Sequence, residues 1–432
     1  MLKSSFSTIS AAFLAVLLSG PFSLLLAEEP QSKTVDATHL KGKVLCGYQG
    51  WFRCPKDAAN SGWVHWSRDR QSISPKSLTF EMWPDMSEYS EAEKYPASGF
   101  TQPDGKPAYL FSSDNHLTVQ RHFNWMRDYG IDGVWLQHFV VDLPGGPSQD
   151  RYPSRMRVID HVREAAKKTG RVWALAYDIS GSSEDRIYQT IATDWKKMVD
   201  DKIIQDPNYI HEGGLPVVQI WGFYHQQKST PMSAQLANKL IEFFQTPSPY
   251  SAFLVAGGDW NWRKNPDKEW RQFLARFRGY SPWNVGNYSI DTNKVTHASM
   301  GYWEEDFKEC QQRGTLWIPV IYPGFSWDNL RQQKPGTSTL ARREGRFLWE
   351  QFYELARLKA DSVCVAMFDE VDEGTAIFKV SDTPPKEAHF QNLEGLPSDW
   401  YLRLVGEGTK MLRGQRPLSA ELPFPIPKKP LR

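Results

Sequence analysis

Eight times along this chain a short β-prone run stops abruptly at a polar or aromatic residue, and most of these runs are separated by stretches with apolar residues at helical spacing. The runs are apolar almost throughout, which is what a strand covered on both faces requires. They fall at residues 43–48, 133–137, 172–177, 216–220, 252–258, 280–283, 315–322 and 362–368. Helices are predicted over 117–129, 154–168, 187–199, 232–244, 267–277, 304–313, 342–359 and 400–412. Buried-type strands alternating with helices imply parallel pairing, and eight such units fit a closed (β/α)8 TIM barrel better than an open sheet. At 432 residues the chain exceeds a typical core, but barrels carry the excess in loops. One barrel domain over residues 43–415 is therefore expected, after a polar lead-in at 28–42 and before a Pro-rich tail at 416–432. Residues 53–115 are rich in Pro, Ser and Trp without periodicity, and read as a long first βα loop over the cleft.

A barrel opens every strand exit onto one face. Tyr48, His138, Asp178, Trp221, Asp259, Tyr322, Glu370 and Glu373 would then converge from distant parts of the sequence, with Trp51 and Trp260 just beyond two of the exits. The last run carries the densest chemistry. Residues 361–378 read DSVCVAMFDEVDEGTAIF, and the apolar stretch gives way to Asp369, Glu370, Asp372 and Glu373. Acids that close repel one another and are hard to desolvate, so a chain needing only a soluble turn would more often use Gly, Asn or Lys. A solvated acidic loop or a helix N-cap cluster is the alternative. Glu370 and Glu373, three apart beyond a strand, are the candidate catalytic pair, because a turn can aim both at one cleft. Asp369 would face the other way and is read as structural.

Composition narrows the partner. Basic and acidic residues nearly cancel, 51 against 50, and no block of like charge forms a nucleic-acid arm. Eighteen tryptophans, with 17 tyrosines and 23 phenylalanines, are more than a core of this size needs. Flat rings stack on the C–H faces of sugars, which points to an oligosaccharide or polysaccharide substrate bound by Tyr48, Trp51, His138, Asp178, Trp221, Asp259, Trp260 and Tyr322. Neither a dinucleotide fingerprint, a Walker loop nor a G-x-S-x-G elbow is present. The four cysteines lack paired metal spacing, and neither cofactor nor metal is expected. Paired carboxylates without a metal set suit acid/base hydrolysis of a glycosidic bond.

The first 27 residues read as a signal peptide, with Lys3, an apolar stretch and Ala27 before Glu28. That predicts a secreted or periplasmic protein, monomeric, without a membrane span after cleavage. Export permits disulfides, and Cys46 with Cys54 is the expected pair.

Within residues 361–378 the stretch FDEVDEGTAIF resembles the signature of glycoside hydrolase family 99, the endo-α-mannosidases, and of the related family 71, in which Asn-Glu-Trp-His-Glu-Gly-Thr ends the last strand. Glu370 and Glu373 match the two glutamates, and Gly374 and Thr375 the Gly-Thr. GYQGWF at 47–52 and IPVIYPGFSWDN at 318–329 resemble that family's opening motif and its loop after strand seven. The resemblance implies a metal-independent, endo-acting enzyme that cleaves α-linkages with retention. Glu370 would deprotonate the sugar's 2-hydroxyl, and Glu373 would act as acid and then as base. Asp369, Val371 and Asp372 stand where the family has Asn, Trp and His, which leaves an α-glucan or a fucose- or pentose-containing polysaccharide open beside mannose. A non-catalytic glycan-binding barrel, an α-1,3-glucanase-like enzyme and a metal-dependent hydrolase using Asp178, Asp259 and Glu370 are the competing readings.

Overall fold

The computed structural model describes Met1 and residues 34–225 and 227–427. The expected leader, apart from Met1, and the last five residues of the tail lie outside the described residues.

Eight parallel strands form the body of the central sheet: β1 (Val44–Tyr48), β2 (Gly133–Phe139), β3 (Val172–Asp178), β4 (Leu215–Phe223), β5 (Phe253–Asp259), β6 (Gly279–Trp283), a split β7 (Leu316–Trp317 and Val320–Ile321) and β8 (Val363–Val365), with the two-residue strand His211–Glu212 antiparallel to β4. Each pairs with its neighbour in sequence, and β1 also pairs with β8. The predicted continuous strand at 315–322 is broken because Pro319 has no N–H to donate. Its first half pairs with β6 and its second with β8, so one short segment joins both ends of the sheet and closes the barrel. Pro319 still accepts from Cys364 N, at 3.0 Å.

Helices α1 (His116–Asp128), α2 (Tyr152–Thr169), α3 (Glu184–Asp200), α4 (Ala234–Gln245), α5 (Lys268–Leu274), α6 (Trp303–Arg313) and α7 (Arg346–Leu358) alternate with the strands, and α8 (Trp400–Leu412) follows β8. Local signals set their ends. Asn115 and Ser233 accept backbone N–H groups at the starts of α1 and α4, and Gly170 and Gly314 end α2 and α6 in the left-handed region open to glycine. No helix among the described residues is long and apolar enough to cross a membrane.

Two expectations are corrected, and one hairpin was not foreseen. The first βα segment holds an antiparallel hairpin, Tyr95–Thr101 with Pro107–Leu110, and none of residues 53–115 lines the cleft. It packs against the segment that follows β8: Glu81 N donates to Val371 O at 2.8 Å, and Asp85 N to Lys379 O at 3.0 Å. A second hairpin, Tyr288–Ile290 with Thr296–Ala298, follows β6; its strands are three residues long, too short for alternation to register in sequence. Cys46 and Cys54 are not bonded to each other. All four cysteines are free and buried, and the Cys54 thiol donates to Phe111 O at 3.0 Å in the layer outside β1.

Candidate active site

At the C-terminal ends of the strands lies a cleft of about 1120 Å³. Asp178 ends β3, Trp221 stands late in β4, Asp259 ends β5, and Glu370 and Glu373 follow β8; all five line the cleft, as do Trp51 and Trp260. Gln137, Gln219, Cys364 and Met367 form its floor. Of the eighteen tryptophans only Trp51, Trp221, Trp260, Trp283 and Trp327 reach it; ten others are among the largest fully buried side chains.

Tyr48, His138 and Tyr322 do not line the cleft, and strand alternation explains why. Gln137 and Phe139 face inward, so His138 between them must face the helices, where its Nε2 meets Asp194 of α3 at 3.1 Å. Tyr48 precedes inward-facing Gln49 and turns outward, its hydroxyl 2.9 Å from His122 Nδ1 on α1. Tyr322 is buried against Phe347 of α7 and donates its hydroxyl to Asn287 O at 2.9 Å. These three residues support the wall behind the site.

The four acids after β8 divide by contact. Asp369 is fully buried and accepts Gln49 N at 2.8 Å and Gly50 N at 2.9 Å, tying the exit of β1 to that of β8. Burial lifts its carboxyl to about 6, against those two donors. Glu370 is 4% exposed; Oε1 accepts the Gln49 amide at 2.5 Å and Oε2 the Thr375 hydroxyl at 2.8 Å. Asp372 faces away from the cleft, its Oδ2 3.1 Å from His65 Nδ1. That imidazole comes from the first βα segment and stacks flat on Trp51, with centroids 3.8 Å apart and planes 8° apart. Glu373 is partly exposed at the cleft surface, and its backbone carbonyl accepts Ser326 N at 2.9 Å.

Burial raises all the cleft acids. It pushes Glu370 well above the usual carboxylate range, helped by the charges of Glu373 and Asp372, while Thr375 and Gln49 act in the other direction. Glu373 is pushed up to about 7 by burial, with the Trp327 indole and the Arg331 cation opposing. Asp178 rises to about 6, again by burial, although Ser180 donates to it through Oγ at 2.5 Å and N at 2.7 Å. The charge of Glu373 thus raises Glu370, and both carboxyls stand above their ordinary range, the direction that general acid chemistry near neutral pH needs. Among the described residues no three His, Cys, Asp or Glu side chains gather into a group that could hold a metal.

The sequence assigned no site role to Gln49, Trp283, Trp327 or His65, and placed Thr375 only within the matching motif. The parity of β1 would have exposed Gln49, since every second residue shares a face; His65 lies in an aperiodic segment and carried no signal.

The fold is a TIM-barrel-like α/β fold of the kind found in glycoside hydrolases. Two solved structures of the family 99 endo-alpha-mannosidase from Bacteroides thetaiotaomicron superpose on it, one of them in complex with BIS-TRIS-Propane. Each has a TM-score of 0.63 at 13% identity; the complex matches 87% of this chain and 98% of its own, the other 88% and 99%. The chain thus shares that fold at low sequence identity. No protein-family model and no curated protein sequence matches it.

Proposed function

We propose that this protein is a secreted glycoside hydrolase that cleaves α-glycosidic bonds within a polysaccharide, endo-acting and with retention. Glu370 takes the proton of the sugar's 2-hydroxyl as that oxygen attacks the anomeric carbon. Glu373 delivers its proton to the departing oxygen, then activates the water that opens the epoxide-like intermediate, and the proton held by Glu370 returns to the 2-oxygen. The observation that carries this reading is the pair itself: Glu370 and Glu373 line one aromatic-walled cleft, and each carboxyl is raised by burial. Burial alone favours the proton on Glu370. The two donors that Glu370 accepts, from Gln49 and Thr375, favour its anion, the form that must take the 2-hydroxyl proton, against the burial that dominates at that carboxyl. Asp178, Asp259, Trp51, Trp221 and Trp260 serve as substrate contacts. The sugar is an α-mannoside, an α-glucan or a fucose- or pentose-containing chain. Secretion rests on the leader-like first 27 residues.

The test screens α-mannan, α-1,3-glucan and fucans for released oligosaccharides and then compares Glu370→Gln and Glu373→Gln. Each variant is expected to lose about 10²- to 10⁴-fold in turnover with binding retained. A Glu373→Gln enzyme that keeps wild-type turnover, or a wild-type protein that binds these glycans without cleaving any, would overturn the proposal.

A further inference from the structure

The chain carries 51 Lys and Arg, yet among the described residues none lines the cleft, whereas Asp178, Asp259, Glu370 and Glu373 all do. The cations nearby are held by other contacts, although the charges of Arg331 and Arg155 still reach Glu373 and Asp178. Arg155 is buried, donating to Asp142 at 2.8 Å and to Gln49 O at 3.0 Å, and Arg331 lies over the Trp327 ring at 3.8 Å. His225 lines the cleft, but its Nε2 sits 3.3 Å from Asp267. From this one-signed lining, and resting on the glycan-cleaving reading above, we infer that the cleft selects uncharged glycans against uronate- or sulfate-bearing ones, with Asp259 the residue that enforces the choice on the β5 wall.

Asp259 ends β5 in register with Trp283 on β6, and is followed at once by Trp260. Among the described residues no group donates a hydrogen bond to its carboxylate, unlike Asp178, Asp369 and Glu370. Its oxygens are therefore free for the hydroxyls of a sugar lying along Trp260 and Trp283, and charge-assisted bonds of that kind are strong. A carboxylate or sulfate on the same sugar meets the acid without a counter-cation. Specificity of this sort comes from the repulsive element as much as from the attractive one. One unscreened like charge at contact distance in a partly desolvated cleft weakens binding on the order of tenfold.

The experiment uses Glu373→Gln, so that ligand survives, and titrates it calorimetrically with oligosaccharides from α-mannan, α-1,3-glucan, desulfated and sulfated fucan, and polygalacturonate. The tightest neutral binder is then oxidised at its primary hydroxyls to the uronate. At 50 mM salt the oxidised form is expected to bind at least about tenfold more weakly, and the gap should narrow at 500 mM as the charges are screened. Adding Asp259→Asn should narrow it about threefold or more at low salt. An anionic oligosaccharide that binds as tightly as its neutral counterpart overturns the inference, as does a gap indifferent to salt. A gap unchanged by Asp259→Asn removes the role given to that residue. If no glycan of either kind binds, the glycan-cleaving reading itself falls.

Discussion

Gln49 at the exit of β1 donates its side-chain amide to Glu370 beyond β8 at 2.5 Å, although the two lie 321 positions apart. The pairing follows from closure, because β1 and β8 are adjacent strands and their exits share one rim. The neighbouring backbone of Gln49 and Gly50 is held in turn by Asp369, so Gln49 has little freedom to withdraw. Replacing it by Leu leaves Glu370 Oε1 buried without a donor. Losing a hydrogen bond to a buried charged group costs about 1.5–3 kcal/mol. The Gln49→Leu enzyme is expected to lose about 10- to 100-fold in kcat with little change in KM, and steady-state kinetics on the substrate found by screening would check it.

Glu373 gives the pH dependence. With its carboxyl at about 7, the proton it must deliver is present below that value and lost above it. kcat/KM should therefore fall as pH rises through about 7, and the fall should disappear in whatever activity Glu373→Gln retains. Arg331 acts against burial at this carboxyl, so Arg331→Leu should move the alkaline limb to higher pH. A limb that stays in place with Arg331 removed would show that another group sets it.

The barrel was legible in sequence because its strands are buried on both faces and end at polar groups, a pattern visible from the first run, at 43–48, to the last, at 362–368. The placing of Glu370 and Glu373 on one cleft was legible for the same reason. Tyr48 and His138 were misplaced because two-sided burial erases the alternation that would have told inward from outward; only neighbours such as Gln49 and Gln137 reveal it. His65, Glu81 and Trp327 come from irregular segments. Their positions depend on contacts across hundreds of residues, which no local pattern encodes.

Glu81 links stability to pH. It is 1% exposed and accepts Asn329 N at 2.7 Å, Leu330 N at 3.1 Å and the Ser326 hydroxyl at 3.0 Å, which fixes the Trp327 segment beside Glu373. Burial raises its carboxyl from 4.5 to about 7. A raised folded-state value means that the contribution to stability is full below pH 4.5 and is lost as pH climbs through about 7. The predicted loss is about 3 kcal/mol over that window. Glu81→Gln keeps the acceptor for both backbone N–H groups and lets Ser326 accept from the new amide, while removing the titration. Denaturant unfolding at pH 5 and pH 8 should show a smaller decline for Glu81→Gln than for wild type.

His65 tests the wall of the cleft. Its imidazole lies flat on Trp51, whose other neighbour in the stack is Phe139 at 5.2 Å, and its Nδ1 meets Asp372 at 3.1 Å. The stack holds the Trp51 ring in the orientation it presents to substrate, and Asp372 holds the imidazole. Aromatic contacts of this geometry contribute about 0.5–1.5 kcal/mol each. His65→Ala is expected to raise KM about 2- to 10-fold while leaving kcat within a factor of two, because in the proposed function Trp51 contacts substrate and carries no proton. His65→Phe restores the stacked face but not the bond to Asp372. If the ring plane is what matters, KM should return toward wild type in His65→Phe; if KM stays as high as in His65→Ala, the contact with Asp372 is the one that positions Trp51.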